Sequence, residues 1–414
     1  MTKKNEVVGI LVGGGPAPGI NGVISAVTLE AINRGKKVIG IYDGFRGLLK
    51  DPVDCVELDI DDVSNLHLRG GSVLRTSREN PTKEHSKMAK VIENLKKLDI
   101  KYLVTIGGDD TAFSSSRVAA AAGGEIKVAH VPKTIDNDLP LPGMASTFGF
   151  QTARHVGVNL MKNLMEDSRT TSRWYIIVAM GRKAGHLALG IGKASGATCT
   201  IIAEEFEDGI IQLSDVCDII EGSMIKRKAR GKTNGVVVLA EGLAERFNPD
   251  DLSDLKNVDR DEHGHIRLAE VNLGKVVKDE LQRRFLEMGE KLTMVTKDIG
   301  YELRCAPPIP FDAEYTRDLG YGAITFLLNG GTDALITMHE QKLIPIPFKD
   351  MIDPMTGKTE VRMVDVNTES YAVARKYMIR LEADDFNAGK WTERLAEAAH
   401  MSVDEFKERF GHLK

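Results

Sequence analysis

Apolar residues in the first 130 positions fall into short, nearly continuous runs rich in Val and Ile, each closed by glycine or proline. They are EVVGILVG (6–13), KKVIGIYDG (36–44), KYLVTIGG (101–108) and IKVAHVP (126–132). Runs of this kind predict strands buried on both faces of a parallel sheet. Between them the apolar spacing changes to that of helices, over about 20–33, 83–98 and 111–122. A second series follows, with a helix over about 150–166, RWYIIVAMG (173–181), a helix at 184–194, ATCTIIAEE (197–205), a helix near 212–229 and TNGVVVLAEG (233–242). The alternation predicts an α/β chain of two doubly wound lobes, with ligands at the carboxyl ends of the strands.

Long helices over about 267–289 and 312–329 frame the short strand LTMVTKDI and the loop GYELRCAPPIPFD. The pattern divides the chain into a lobe at 1–150, a lobe at 151–310 and a segment 311–414, whose helices pack on both lobes before an irregular, then helical, extension. No chemistry is legible in that extension. The acidic, turn-rich stretch 244–268 reads as a surface insertion.

Composition narrows the class. A chain of 414 residues exceeds what one hydrophobic core usually serves, and 42% apolar with 28% charged residues describes a globular protein with ample core. The net charge of −5, without a basic tail, gives no reason to expect nucleic acid or a membrane as partner. Cys55, Cys199, Cys217 and Cys305 show no C-x-x-C spacing, which predicts a reducing compartment and neither a disulfide frame nor a zinc site. The apolar run near the start is too short for a signal segment or a membrane span, so a cytoplasmic protein is expected.

The unusual residues gather in the loops that follow strands. GILVGGGPAPGINGV sets Gly13, Gly14 and Gly15 between a strand and a helix, where backbone N–H groups cradle phosphate or a helix packs tightly on a sheet. It fits neither the dinucleotide fingerprint, whose third glycine is Pro18 here, nor the Walker loop, whose Lys-Ser/Thr is Ile20-Asn21. GGDDT places Asp109 and Asp110 at a helix mouth, as one ligand for Mg2+ beside a second carboxylate of open role, or as helix caps. In VPKTIDNDLP, Lys133, Asp136 and Asp138 crowd a strand end between two prolines. That offers one carboxylate for a metal, one to take a hydroxyl proton, and an ammonium for phosphoryl charge. VAMGRKAGH ends a strand with Gly181 and Arg182, a two-pronged phosphate donor or a surface ion pair. Glu241 also stands at a strand end, and Tyr301 and Arg304 lie in GYELR.

GGGPAPGIN, GGDDT, PKTIDND, MGR and GYELR, in this order, resemble the 6-phosphofructokinase family over roughly residues 6–330. The resemblance implies two α/β lobes with the sugar phosphate between them, Asp136 as base for the 1-hydroxyl of fructose 6-phosphate, and Mg2+ on Asp109 with Asp138. It also implies sugar-phosphate roles for Thr134, Met180, Gly181, Arg182, Glu241, Tyr301 and Arg304. Arg173 matches an arginine that reaches across a subunit interface, so a homodimer or homotetramer is implied.

ATP-using members read G-G-D-G and P-G-T-I-D-N-D, whereas pyrophosphate-using members resemble this chain, with Asp110 and Lys133 in place of both glycines. Asp110 sets charge and bulk where the α-phosphate of ATP approaches, and Lys133 supplies positive charge to a shorter donor, for which Gly14 and Gly15 are also expected to bind phosphate. The chain departs from ATP-dependent members after Arg304, where no R-G-G follows and Ala313 replaces a phosphate-binding arginine. The competing readings are an ATP-dependent phosphofructokinase, a kinase of a related sugar phosphate such as sedoheptulose 7-phosphate, and a non-catalytic phosphometabolite sensor.

Overall fold

The computed structural model describes residues 6–207, 209–248, 272–351 and 360–413. Most of the segment 244–268, read as an insertion, lies outside the described residues. Twelve strands are described: β1 (Val7–Val12), β2 (Lys37–Ile41), β3 (Cys55–Leu58), β4 (Ile100–Gly107), β5 (Lys127–Thr134), β6 (Phe148–Gly149), β7 (Trp174–Ala179), β8 (Cys199–Ile201), β9 (Gly235–Ala240), β10 (Met294–Ile299), β11 (Ala334–His339) and β12 (Lys342–Pro347). The chain forms two units, one of residues 1–153 with 301–362 and the other of 154–300 with 363–414. The third segment read from the sequence is thus divided between them. The helix Phe150–Thr171 begins in the first unit and continues in the second.

In the first unit the sheet runs β12-β11-β5-β4-β1-β2-β3, with β6 paired to β5. β1, β2, β4, β5 and β6 pair in parallel, and helices cover both faces. Ile20–Asn33 and Pro310–Leu328 pack on one side with Val8, Ile10 and Val104, while His85–Lys97 and Asp109–Ala121 pack on the other with Leu11 and Leu103. The strand order reverses at β1, because β2 lies on one side of it and β4 on the other. Connections then leave β1 and β4 toward opposite faces, which opens a crevice at their carboxyl ends.

The sheet is mixed, not purely parallel. β3 joins β2 antiparallel, and β11 and β12 form an antiparallel hairpin where the sequence pattern predicted irregular chain. The hairpin turns on Glu340 (φ 48°) and Gln341 (φ 61°), both in the left-handed region. Two-residue turns of this type ordinarily signal themselves by Asn-Gly or Asp-Gly, so Glu-Gln gives no warning. Pro345 and Pro347 are tolerated because β12 is an edge strand.

The second unit holds an all-parallel sheet, β10-β7-β9-β8. Leu213–Lys228 and Leu273–Glu287 pack against it around Ile176, Val237 and Leu239. The helices Glu369–Tyr377, Lys390–Ala398 and Val403–Phe410 complete the unit, the last two around Phe386, Phe406 and Phe410. Among the described residues no helix is long and apolar enough to cross a membrane.

β5 carries a fully buried histidine opposite Thr105 of β4. His130 Nε2 lies 3.0 Å from the Gly107 carbonyl, which can only accept, so Nε2 bears the proton and Nδ1 accepts from Thr105 Oγ1 at 2.8 Å. Burial pushes its pKa down to about 3. Between that value and the unfolded value of about 6.5, only the unfolded chain takes up the proton, so stability falls as the pH is lowered through this window, by up to about 1.4 kcal/mol per unit. Wild type is expected to lose about 2 kcal/mol more than His130→Gln between pH 6.5 and 5.0 in denaturant melts; equal losses would show that His130 carries no such linkage.

Candidate active site

The three strand ends of the first unit meet through main-chain contacts. Gly13 donates to the Ile106 carbonyl at 2.8 Å, and Gly107 stands opposite Pro132 in the β4–β5 register. The glycine loop, GGDD and PKTIDND therefore share one edge of the sheet. Gly14, with φ 79°, adopts a conformation open to glycine, and its N–H donates to Ser77 at 2.9 Å. Thr76 Oγ1 donates to the Gly14 carbonyl at 2.7 Å, so the segment Thr76-Ser77-Arg78 borders the loop, with Arg78 exposed. Nothing in the local pattern singled that segment out, because its place depends on pairing with residues more than 60 positions away.

Asp109 and Asp110 both lie in the first turn of the helix Asp109–Ala121, which starts two residues earlier than the sequence pattern predicted. The position before the helix is Gly108, which has no side chain to cap with, so the aspartates are first-turn residues, where the helix dipole favours negative charge. Asp109 is half-buried and Asp110 exposed.

Lys133 is only 5% exposed, and its ammonium donates to the Gly15 carbonyl across the loop. Nζ also lies 3.4 Å from where a Cβ on Gly14 would stand. Arg304 also lies against the loop, with Cζ 3.5 Å from the Cβ position of Gly15 and 4.9 Å from the ring centre of the exposed Tyr301. The structure thus places Arg304 beside the glycine loop.

The loop after β5 is tightly held. Thr134 Oγ1 accepts from the Asp136 N–H at 3.0 Å, and Asn137 turns the chain at φ 59°. Asn137 Oδ1 accepts from the Thr147 N–H at 3.0 Å, and Thr147 Oγ1 donates to the Thr134 carbonyl at 2.8 Å. Asp136 is buried and Asp138 half-buried. Where the chain leaves the loop, Asp312 accepts from Gly149 N at 2.8 Å, Thr152 N at 2.7 Å and Thr152 Oγ1 at 2.6 Å. Asp312 is fully buried, and burial raises its pKa despite these donors. Asp109 and Asp138 are hard oxygen donors at strand ends, a set that suits Mg2+ taking its remaining ligands from phosphate oxygens and water. Among the described residues no group of three or more His, Cys, Asp or Glu side chains forms a cage for a metal.

In the second unit, Met180, Gly181 and Arg182 follow β7, and Glu241 follows β9. Glu241 is buried, and its Oε1 accepts from Gly181 N at 2.9 Å and Arg182 N at 2.6 Å. That carboxylate holds Arg182 in the left-handed region at φ 52°, a strained conformation for a side-chain-bearing residue, while the Arg182 side chain stays exposed. The contact gives no local signal in the sequence, where Glu241 is expected as a sugar ligand, because its partners lie 60 and 59 positions earlier. Arg173 precedes the amino end of β7, so a whole strand separates it from Arg182, about 20 Å at the rise of an extended chain.

The phosphofructokinase family profile matches residues 7–327. The chain is 55% identical over 413 residues, covering 98% of both chains, to pyrophosphate–fructose 6-phosphate 1-phosphotransferase of Thermotoga maritima. It is 52% identical to the Naegleria fowleri protein of that name, over 100% of this chain and 97% of the relative. The crystal structure of a pyrophosphate-dependent phosphofructokinase from Marinobacter aquaeolei shares the fold, with TM-score 0.66 and 18% identity over 96% of this chain and 92% of that one.

The MGR turn packs closely on Gly242. A Cβ on Gly242 would stand 2.5 Å from the Arg182 carbonyl and 2.8 Å from that of Lys183, both rigid main-chain atoms. Gly242→Ala is expected to cost about 1–3 kcal/mol in denaturant unfolding; an unchanged midpoint would mean that the turn is free to shift.

Proposed function

This chain belongs to the phosphofructokinase family, and we propose that it transfers a phosphoryl group from Mg-pyrophosphate to the 1-hydroxyl of fructose 6-phosphate, giving fructose 1,6-bisphosphate and phosphate. The observation that carries the donor reading is the buried Lys133 ammonium on the Gly15 carbonyl, a fixed positive charge against the glycine loop. Asp110, exposed beside Asp109, supports the same donor through its charge and bulk against a longer one. Transfer from pyrophosphate is a modest drop in free energy, so the reaction runs in both directions. We read the enzyme as cytoplasmic and homo-oligomeric, with Arg173 turned to the subunit interface.

In this reading Asp136 takes the proton of the sugar 1-hydroxyl, and Gly14 and Gly15 line the place of the donor, with the Gly14 N–H taken up by the Ser77 carbonyl. Lys133 and Arg182 stabilise charge on the transferring group. Thr134, Met180, Gly181, Glu241, Tyr301 and Arg304 shape and bind the sugar phosphate. Asp109 and Asp138 would hold Mg2+, which supplies charge neutralisation on the donor phosphates. Positioning and electrostatics account for most of the acceleration in such transfers.

Asp136→Ala is expected to fold normally and to lose turnover by a factor of about 10²–10⁴; near-normal turnover would overturn the assignment of the base. The donor is tested by fructose 1,6-bisphosphate formation with Mg2+ and either pyrophosphate or ATP. Turnover with pyrophosphate is expected, and Asp110→Gly with Lys133→Gly should weaken it and admit ATP. Turnover of the wild type with ATP alone would reverse the donor reading, and with neither donor it would remove the activity.

A further inference from the structure

Arg362 belongs to the stretch in which the sequence showed no chemistry, and it lies beyond residue 327, where the family match ends. Its guanidinium nevertheless reaches the loop that carries Asp136 and Asp138. Nε and Nη2 donate to the Asn137 carbonyl at 3.0 and 2.9 Å, Nη2 to Asn137 Oδ1 at 2.5 Å, and Nη1 to the Ala145 carbonyl at 2.8 Å. The Arg362 N–H donates to the Asp138 carbonyl at 2.7 Å. One residue thus grips both limbs of the loop and the peptide between the two aspartates.

The chemistry of the grip is selective. Asn137 is the left-handed corner, and its direction decides where the side chains on either side of it point. The four side-chain bonds, two of them forked onto one carbonyl, draw on a planar group of five N–H donors and exceed the three that an ammonium has. Burial works against the charge on Arg362, lowering its pKa, while the nearby Asp138 carboxylate works the other way. A charge kept in such a place suits a task that an apolar side chain of similar size would not perform.

We infer that Arg362 is a positioning residue that fixes the Asn137 corner and thereby the placement of Asp136 and Asp138. The inference rests on the reading of those two aspartates as working groups, so its test needs one readout that does not involve turnover.

In the full-length chain, hydrogen exchange over residues 134–148 is compared between wild type, Arg362→Ala and Arg362→Lys. Exchange in this loop is expected to quicken by about tenfold or more in the alanine variant, while β1 and β4 keep wild-type protection. Turnover should fall about 10²-fold with Michaelis constants changed by less than about threefold, since a displaced catalytic group costs rate more than binding. Added guanidinium ion, well below denaturing concentration, should restore part of the alanine variant's turnover. Unchanged loop protection in Arg362→Ala overturns the inference, as does lost turnover accompanied by weakened protection throughout the unit. If the alanine variant does not fold, Arg362→Lys decides: a folded protein with a quickened loop and about tenfold lower turnover supports positioning, and wild-type behaviour refutes it. Absent turnover in the wild type would sink the activity while the exchange comparison still judged Arg362.

Discussion

The first unit depends on the parallel pairing of β1 between β2 and β4. That pairing makes β1, β4 and β5 end at one edge of the sheet, and the reversal of strand order at β1 keeps helices from covering it. Register does the rest. With Gly13 bonded to Ile106 and Gly107 opposite Pro132, three loops distant in sequence must lie side by side. A one-residue slip of β5 would send Lys133 to the opposite face of the sheet and empty the space beside Gly14 and Gly15.

Polar and charged side chains at this edge are held by protein groups. Lys133 is buried on a carbonyl, Asp312 takes three donors, and His130 stays neutral between Thr105 and Gly107. A buried polar group left without a partner is costly, so each of these side chains locks the main chain that satisfies it. The consequence is a loop held on three sides: by Thr147 from within, by Asp312 where it rejoins a helix, and by Arg362 from a distant part of the chain. For phosphoryl transfer, where positioning is most of catalysis, that rigidity is the functional property.

The second unit solves a smaller version of the same problem. Glu241 holds a strained arginine by its backbone, while the arginine itself stays exposed. The C-terminal helices are docked on this unit by buried ion pairs, Arg380 with Glu205 at 2.5 Å and Lys226 with Asp385 at 2.6 Å. Such pairs add little net stability, yet losing one member strands its partner's charge in the interior, so the segment has one favourable way to dock.

Sequence alone determined the parts of this protein that depend on local period and local chemistry. Continuous Val/Ile runs located β1, β2, β4, β5, β7 and β9, glycine and proline marked their ends, and the helix over 20–33 matched the observed Ile20–Asn33. The place of Gly14, Gly15, Asp109, Asp110, Lys133 and Asp136 at strand ends was legible because their loops follow those strands directly. The tertiary structure decided what depends on residues far apart in the chain. It bent Glu340 and Gln341 into a hairpin without a turn signal. It also turned Glu241 toward a backbone, and laid Arg362 on Asn137, 225 positions earlier. No window of sequence holds both ends of such a contact, and an arginine in an irregular stretch looks like any solvated arginine until folding removes the water around it.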